Sequence, residues 1–246
     1  MRTYSYSDKI SLGRGDGTKI LTAIKNAKKS IKIVSPYLSP SYLEELIRLR
    51  KKGVKITLIT SDNLTEGNHQ FSTFKDSDVI KQKKILNPEA NDKKKNLKKI
   101  SITFFLVSII TFLLSLSFSS LTYISVILVI IGAVVLAYSY SISGYKYYYY
   151  SIFRLKAFDS ASGEKPQSTN LVHSKIFVID EKTCFLGSAN FTYSGFKVHY
   201  ETVIEVEDPK AIKDISQEVE NLFNSTELKA KDINKWGKEI YEQNIF

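Results

Sequence analysis

The sequence contains a long stretch without a charged residue, from Ile100 to Tyr145. It holds two apolar runs, Ile100–Leu116 and Leu121–Tyr138, which four residues, Ser117-Phe118-Ser119-Ser120, separate. Each run approaches the length that a helix needs to cross ~30 Å of hydrocarbon, and a helix satisfies its own backbone hydrogen bonds in lipid. The stretch therefore predicts a transmembrane helical hairpin, with a buried hairpin of a soluble protein as the alternative.

The charges on either side of the hairpin predict its orientation. Lysines precede the first run at positions 93, 94, 95, 98 and 99, Lys146 follows the second, and the connecting turn is uncharged. Because positively charged flanks stay on the cytoplasmic side, we expect both flanks and both termini there. An even number of crossings also lets the segments before and after the hairpin fold together. Tyr145 and Tyr147–Tyr150 predict an interfacial aromatic belt.

The rest of the chain predicts a single α/β domain that the hairpin interrupts. A helix over Ile20–Lys29 leads into a strand over Ile31–Leu38, Ser39 and Pro40 begin a second helix that Gly53 ends, and Val54–Thr60 forms a second strand. Asp208-Pro209 begins an amphipathic helix that would cover the sheet. Gly13-Arg14-Gly15-Asp16-Gly17 precedes no GK[ST] and is interpreted as a flexible loop.

We divide the chain accordingly into five segments. They are residues 1–62 (first half of the domain), 63–99 (basic polar linker), 100–143 (hairpin), 144–224 (second half) and 225–246 (C-terminal tail).

Six polar or glycine residues at fixed offsets carry the chemistry of the second half. His173, Lys175, Asp180, Gly187, Ser188 and Asn190 have the spacing HxKx4Dx6GSxN, which occurs once. Leu171–Ile179 predicts a strand that sends His173 and Lys175 to one face, and Thr183–Leu186 predicts a second strand before the turn at Gly187. Lys175, Ser188 and Asn190 could stabilise the extra negative charge of a phosphodiester transition state, and His173 is the candidate nucleophile.

This motif resembles the signature of the phospholipase D superfamily, and the β-α-β opening resembles the first half of a phospholipase D-like domain. The resemblance implies a mixed α/β sheet flanked by helices, here with an inserted two-helix transmembrane hairpin. It also implies that His173 forms a phosphohistidine intermediate and that Glu201, after GSxN, orients a histidine ring. Asp180 belongs to the motif, but its role in similar enzymes is structural.

The resemblance further predicts a homodimer, because related enzymes build one active site from two HxK motifs and this chain supplies one. No CxxC or HExxH occurs, so we expect catalysis without a metal or other cofactor. The single cysteine, Cys184, excludes an intramolecular disulfide and agrees with a reducing compartment.

Charge and anchoring leave the substrate open. Lys and Arg number 35 against 25 Asp and Glu, a net charge of +10, which favours either nucleic acid or an anionic lipid surface. The leading hypothesis is a membrane-anchored nuclease. The alternatives are a phospholipase or phosphatidyltransferase acting on membrane phospholipids, and a non-catalytic protein that binds phosphate-bearing ligands.

Overall fold

A computed structural model describes residues 9–61, 64, 74–158 and 172–242. The first part of the predicted linker (65–73), Leu171 at the start of the predicted motif strand, and residues 243–246 of the predicted tail lie outside the described residues. The chain forms two compact units. One comprises residues up to Lys81 and from Tyr149 onward, and the other is Gln82–Tyr148.

The described strands are β1 Lys9–Arg14, β2 Ser30–Val34, β3 Lys55–Ser61, β4 Ile80–Leu86, β5 Tyr145–Ser151, β6 Arg154–Phe158, β7 Ile176–Ile179, β8 Thr183–Gly187 and β9 Tyr200–Val206. The described α-helices are α1 Thr18–Lys25, α2 Pro40–Lys51, α3 Asp76–Val79, α4 Pro88–Ser115, α5 Leu121–Ser141, α6 Pro209–Asn224 and α7 Ile233–Ile240, and Ser194–Val198 forms a π-helical turn.

The first unit is built on a mixed seven-stranded sheet with the order β1-β9-β8-β7-β2-β3-β6. Strands β2, β3 and β6 are parallel to one another, and the remaining neighbours are antiparallel. Helix α6 packs Ala211, Ile212 and Val219 on one face of the sheet. On the other face, the rings of Tyr42, Phe177, Phe191 and Phe196 form an aromatic cluster. This arrangement confirms the predicted α/β fold.

The glycine-rich segment near the N-terminus is partly a strand, so the loop interpretation was wrong for its first two residues. Gly13 and Arg14 end β1, where they pair with Glu201 and Tyr200 of β9. The pairing partner lies almost at the other end of the chain, which is why local sequence did not reveal this strand. Beyond it, Gly17 packs so tightly on Phe196 that a Cβ atom there would lie 2.6 Å from the ring.

The second unit contains the two apolar helices, joined to the short ribbon of β4 and β5. Helix α4 begins at Pro88 and not near Ile100, because Asn87 caps it through Ala90 N and Pro88 suits the first helical position. The C-terminal part of the predicted linker is therefore helical. Only 11% of the most apolar window of each helix is buried, unlike the core of a soluble protein. Both helices are candidate membrane spans.

Small residues line the contact between α4 and α5. Ser101, Ser108, Ser125, Gly132 and Ser139 are buried there, and on each helix they follow a seven-residue spacing. The Ser101 hydroxyl donates to the carbonyl oxygen of Gly132 at 2.9 Å, and a Cβ atom on Gly132 would lie 3.1 Å from the Phe105 ring. Small side chains let the two backbones approach closely, as in membrane helix pairs.

The C-terminal segment and the tyrosine run differ from expectation. The predicted tail carries helix α7, which begins at the N-cap Asp232. Gly237 of α7 packs directly on Tyr149, leaving that tyrosine only 6% exposed in the first unit. Tyr149 is thus a core residue and not part of an aromatic belt, whereas Tyr145, Tyr148 and Tyr150 are exposed.

Candidate active site

The sheet topology brings five of the predicted site residues to one edge. Both ladders of β7 end at Ile176, which pairs with Val34 of β2 and Leu186 of β8. His173 and Lys175 come just before Ile176, while Ser188 and Asn190 come just after Gly187 at the end of β8. Glu201 lies near the start of β9, whose Val203 pairs with Gly187. The motif residues therefore converge because antiparallel neighbours alternate in direction.

His173 and Lys175 are close together, but not because they alternate along a strand. The predicted strand over Leu171–Ile179 begins only at Ile176, since β2 ends at Val34 and Pro36 cannot donate to a continued ladder. Instead, Lys175 Nζ donates to the His173 carbonyl oxygen at 2.7 Å. The same ammonium lies 2.9 Å from His173 Nδ1 and 3.1 Å from Nε2. The imidazole and the cation thus form one local unit.

Lys175 is a buried cation next to an exposed histidine. Its side chain is among the buried charged groups, at 7% exposure, whereas the ring of His173 is open to solvent. Burial lowers the pKa of Lys175 below its ordinary value, and the negative charge of Glu201 opposes that shift. An anionic ligand at this position would find a partly desolvated ammonium, whose attraction is stronger than that of a surface lysine.

Ser188 and Glu201 hold each other. The Ser188 hydroxyl donates to Glu201 Oε2 and accepts from Thr202 N at 3.1 Å, while Ser188 N donates to Thr202 O at 3.0 Å. Gly187 makes this approach possible, because a Cβ atom there would lie 1.9 Å from the Thr202 carbonyl oxygen. The arrangement fixes a buried carboxylate beside Lys175. Between the described side chains of one chain, no contact joins Glu201 to His173.

A second histidine, which the sequence analysis did not select, lies beside Glu201. His199 Nδ1 is 3.8 Å from Glu201 Oε1, and its side chain is 63% exposed. A sequence signal could have identified His199, because it stands two residues before Glu201 and alternate residues of a strand share a face. Glu201 Oε1 therefore has an imidazole nearby, at a distance longer than a hydrogen bond.

Asn190 reaches the site through the turn after β8. Its carbonyl oxygen accepts from Thr192 N at 2.7 Å, and Gly195 packs so closely that a Cβ atom would lie 2.6 Å from this oxygen. The Asn190 Oδ1 atom is buried and has no hydrogen-bond partner among the described residues. Because buried polar atoms are normally satisfied, a water molecule, a ligand or another chain is the expected partner.

Asp180, the motif residue with an expected structural role, is not brought to this edge. It follows Ile179, the far end of β7. At ~3.3 Å per residue, Ile179 lies about 13 Å along the chain from Lys175. Its carboxylate accepts from the backbone N atoms of Lys28, Lys29 and Ser30 at 2.9, 2.7 and 2.9 Å. Burial alone would raise the pKa of Asp180, but these donors outweigh it and the pKa is below its ordinary value. The contacts agree with the structural role.

The described part of the chain contains no group of three His, Cys, Asp or Glu side chains arranged to hold a metal ion. Metal-independent catalysis stays a prediction.

Sequence comparison with protein families identifies the domain. The family model described as "Cardiolipin synthase, PLD-like domain" matches residues 20–108 and 142–225, more than half of the chain. The chain belongs to this phospholipase D-like family. It is accordingly a member of the phospholipase D superfamily. No curated protein sequence matches the chain significantly.

Solved structures with a similar fold include three from bacteria. Nuc from Salmonella typhimurium, a phospholipase D family member, is 14% identical with a TM-score of 0.44, and the match covers 92% of this chain and 99% of Nuc. NucT from Helicobacter pylori is 13% identical with a TM-score of 0.48, covering 92% and 100%. Phosphatidylserine synthase from Haemophilus influenzae is 13% identical with a TM-score of 0.44, covering 96% and 42%.

Proposed function

We propose that this phospholipase D-like protein is a membrane-anchored phosphodiesterase that acts through a phosphohistidine intermediate. The observation that carries the proposal is the convergence of His173, Lys175 and Asn190 at one sheet edge. An exposed imidazole there adjoins a buried ammonium, and an amide with unused hydrogen-bonding capacity follows the end of the neighbouring strand β8. A nucleophile, a cation and a neutral polar group are what displacement at phosphorus requires.

In the proposed reaction, a ring nitrogen of His173 attacks phosphorus and the bond to the leaving oxygen breaks. A second imidazole gives its proton to that oxygen. The same imidazole then removes a proton from water, which attacks phosphorus, breaks the phosphorus–nitrogen bond and regenerates His173. Lys175, Asn190 and Ser188 bind the nonbridging oxygens, and Glu201 accepts from an imidazole N–H.

The second imidazole implies a second copy of the chain. The HxK spacing occurs once in the sequence, so one protomer supplies one such histidine. We propose a homodimer in which the partner completes the centre, with the two-fold axis along the membrane normal because both hairpins enter the same bilayer.

Nucleic acid is the proposed substrate. The rings of Tyr37 and Tyr193 are 38% and 58% exposed, and they flank the bridge between Leu38 and Phe191, next to Asn190. Accessible tyrosine rings stack on bases of single-stranded nucleic acid, and the net charge of +10 favours a polyanion. These features support a nuclease.

Membrane phospholipid is the second candidate. The two apolar helices support it, because a chain anchored in a bilayer is always close to the phosphodiester groups of the lipid headgroups. In that reaction the acceptor would be water or an alcohol.

The decisive assay compares both substrates with the same preparations. Wild type, His173→Ala and Tyr37→Leu/Tyr193→Leu proteins are incubated with labelled single-stranded oligonucleotide and with phospholipid vesicles. We expect oligonucleotide cleavage that falls about 10³-fold or more in His173→Ala, with a raised KM in the tyrosine variant. Cleavage of lipid alone would contradict the nuclease. Failure to trap acid-labile phosphate on His173 with either substrate would favour non-catalytic ligand binding.

We also propose that both flanks of the hairpin are cytoplasmic, on the basis of the lysines before α4's apolar part and the uncharged turn. Cys184 is buried, which raises the pKa of its thiol to about 12 and keeps it unreactive. In intact cells, an impermeant maleimide should therefore label Ser119→Cys in the turn, but Lys52→Cys only after permeabilisation. The reverse pattern would invert the topology.

A further inference from the structure

The hairpin unit carries most of the excess positive charge of the protein. Residues 82–148 contain eight lysines and two acidic residues, Glu89 and Asp92, a net charge of +6 out of the +10 of the whole chain. Among the described residues of this unit, the one ion pair is Lys95 with Asp92, 3.9 Å apart and exposed. Most of these ammonium groups are therefore not neutralised within the unit.

Four of the lysines lie over tyrosine rings. Lys84 Nζ is 3.8 Å from the ring centroid of Tyr145 and 6.0 Å from that of Tyr147, Lys93 is 5.8 Å from Tyr138, and Lys94 and Lys98 are 5.8 and 4.6 Å from Tyr140. We call these eight residues the lysine–tyrosine collar. A ring attracts a cation without removing its charge, so the collar holds its ammonium groups in place while they stay available to an anion.

The collar lies at the open end of the hairpin, opposite the turn. Lys94 Nζ contacts the carbonyl oxygen of Ile142, just after α5 ends, at 3.5 Å. From Leu121 to Tyr138, α5 rises about 27 Å, close to the ~30 Å of hydrocarbon in a bilayer. A hairpin whose apolar helices fill the hydrocarbon therefore places the collar at the depth of the headgroups.

We propose that the lysine–tyrosine collar binds the headgroups of anionic phospholipids in the leaflet that it adjoins. The inference rests on the membrane anchoring proposed above, but not on the catalytic activity. Both halves of the collar suit that ligand. Tyrosine rings are typical of the membrane interface, and juxtamembrane lysines attract anionic lipid. Nucleic acid is a less suitable ligand, because the collar adjoins apolar helices that favour a lipid environment.

The test counts lipids bound to the full chain. Protein in a non-ionic detergent is mixed with equal amounts of phosphatidylglycerol and phosphatidylcholine of identical acyl chains, and bound lipid is identified by native mass spectrometry. Wild type should prefer phosphatidylglycerol about tenfold or more, and the preference should fall with added salt. Lys84→Gln/Lys93→Gln/Lys94→Gln/Lys98→Gln should lose it, and arginine at the same four positions should retain it.

A matched control removes the same number of positive charges from the α/β unit. Lys52, Lys210, Lys213 and Lys235 are exposed lysines of the α/β unit, and their replacement by glutamine should leave the preference unchanged. Equal retention of both lipids by wild type, or the same loss in both quadruple variants, would overturn the proposal. So would a single-stranded oligonucleotide that binds through the four collar lysines where phosphatidylglycerol does not.

Two further measurements separate this proposal from the proposed function. Carbonate extraction of membranes reports anchoring, and release of the wild-type chain would remove the membrane assignment together with the collar's role. Phosphodiesterase activity of the glutamine variant reports catalysis. If the glutamine variant is active and membrane-bound, yet prefers phosphatidylglycerol as wild type does, the lipid-binding role of the collar would be wrong while the proposed function would stand.

Discussion

At the scale of single residues, Asp180 shows how a motif residue can act on the backbone. Its carboxylate binds three successive N–H groups that lead from α1 into β2, and Asp180 N donates to the Ser30 carbonyl oxygen at 2.8 Å. The residue has a positive φ of 54°, which aspartate tolerates better than most residues. Asp180 therefore fixes the turn after β7 to the start of β2.

The pKa of Asp180 makes this contact dependent on pH. Because its folded-state pKa is below the ordinary value of 3.8, the carboxylate stabilises the fold above pH ~4, and that contribution is lost as pH falls through the folded pKa. Asp180→Asn should be less stable at pH 7 by about 2 kcal/mol and should show a flatter acid dependence. Unfolding by denaturant between pH 7 and pH 3 measures both.

The exposed carboxylate Glu227 provides the control for that measurement. Glu227→Gln should follow the wild-type curve. An Asp180→Asn protein with unchanged acid dependence would mean that the backbone contacts do not stabilise the fold.

At the scale of elements, the hairpin is held together by the close approach of the α4 and α5 backbones and not by contacts between long side chains. Gly132→Leu should force α4 and α5 apart, because even a Cβ atom there lies 3.1 and 3.3 Å from the Phe105 ring. Overpacking of this kind costs about 1–3 kcal/mol, so the melting temperature in detergent should fall by several degrees.

Ala133 offers a matched comparison, since it is the next residue and its side chain is exposed. Ala133→Leu adds a similar volume on the outer surface of α5 and should leave the melting temperature within about a degree of wild type. Equal destabilisation by both variants would exclude the small-residue contact as the cause.

Elements with local signals were predictable from sequence. Helix α2 has the expected N-cap position at Ser39, Pro40 at its first position and Gly53 beyond its end with φ of 92°, and α6 begins after Asp208 as expected. The pairing of β1 with β9 and the π-helical turn depend on contacts between distant residues, so periodicity could not reveal them. Helix α7 was missed because its short apolar face packs on Tyr149, far away in sequence.

The same distinction applies to the candidate site. Fixed spacing identified the four residues that come together in the motif, His173, Lys175, Ser188 and Asn190. It did not identify the contact between Ser188 and Glu201 or the position of His199, because both depend on the register of β8 and β9. Sequence thus predicted which residues lie at the same end of the strands, but not the contacts between them.

At the scale of the whole molecule, one copy of the motif per chain predicts that activity requires two chains. Nanodiscs that contain a single protomer should be at least about 10²-fold less active per chain than nanodiscs that contain two, because the second imidazole is missing. The measurement uses discs separated by mass and assayed with the substrate that wild type cleaves.

His173→Ala discs with two copies give the background for that comparison. Equal activity per chain in the one-copy and two-copy discs would contradict the dimeric centre and would direct attention to His199 as an imidazole supplied within the chain.

The parallel pairing of β3 with β6 joins segments on either side of the inserted hairpin. During synthesis, β3 is made before the two apolar helices and β6 only after them. The sheet consequently cannot close until both helices have left the ribosome. If the two helices enter a bilayer as proposed, that entry precedes completion of the α/β domain, and a ribosome that carries this chain would already be docked at the membrane when the candidate site first assembles.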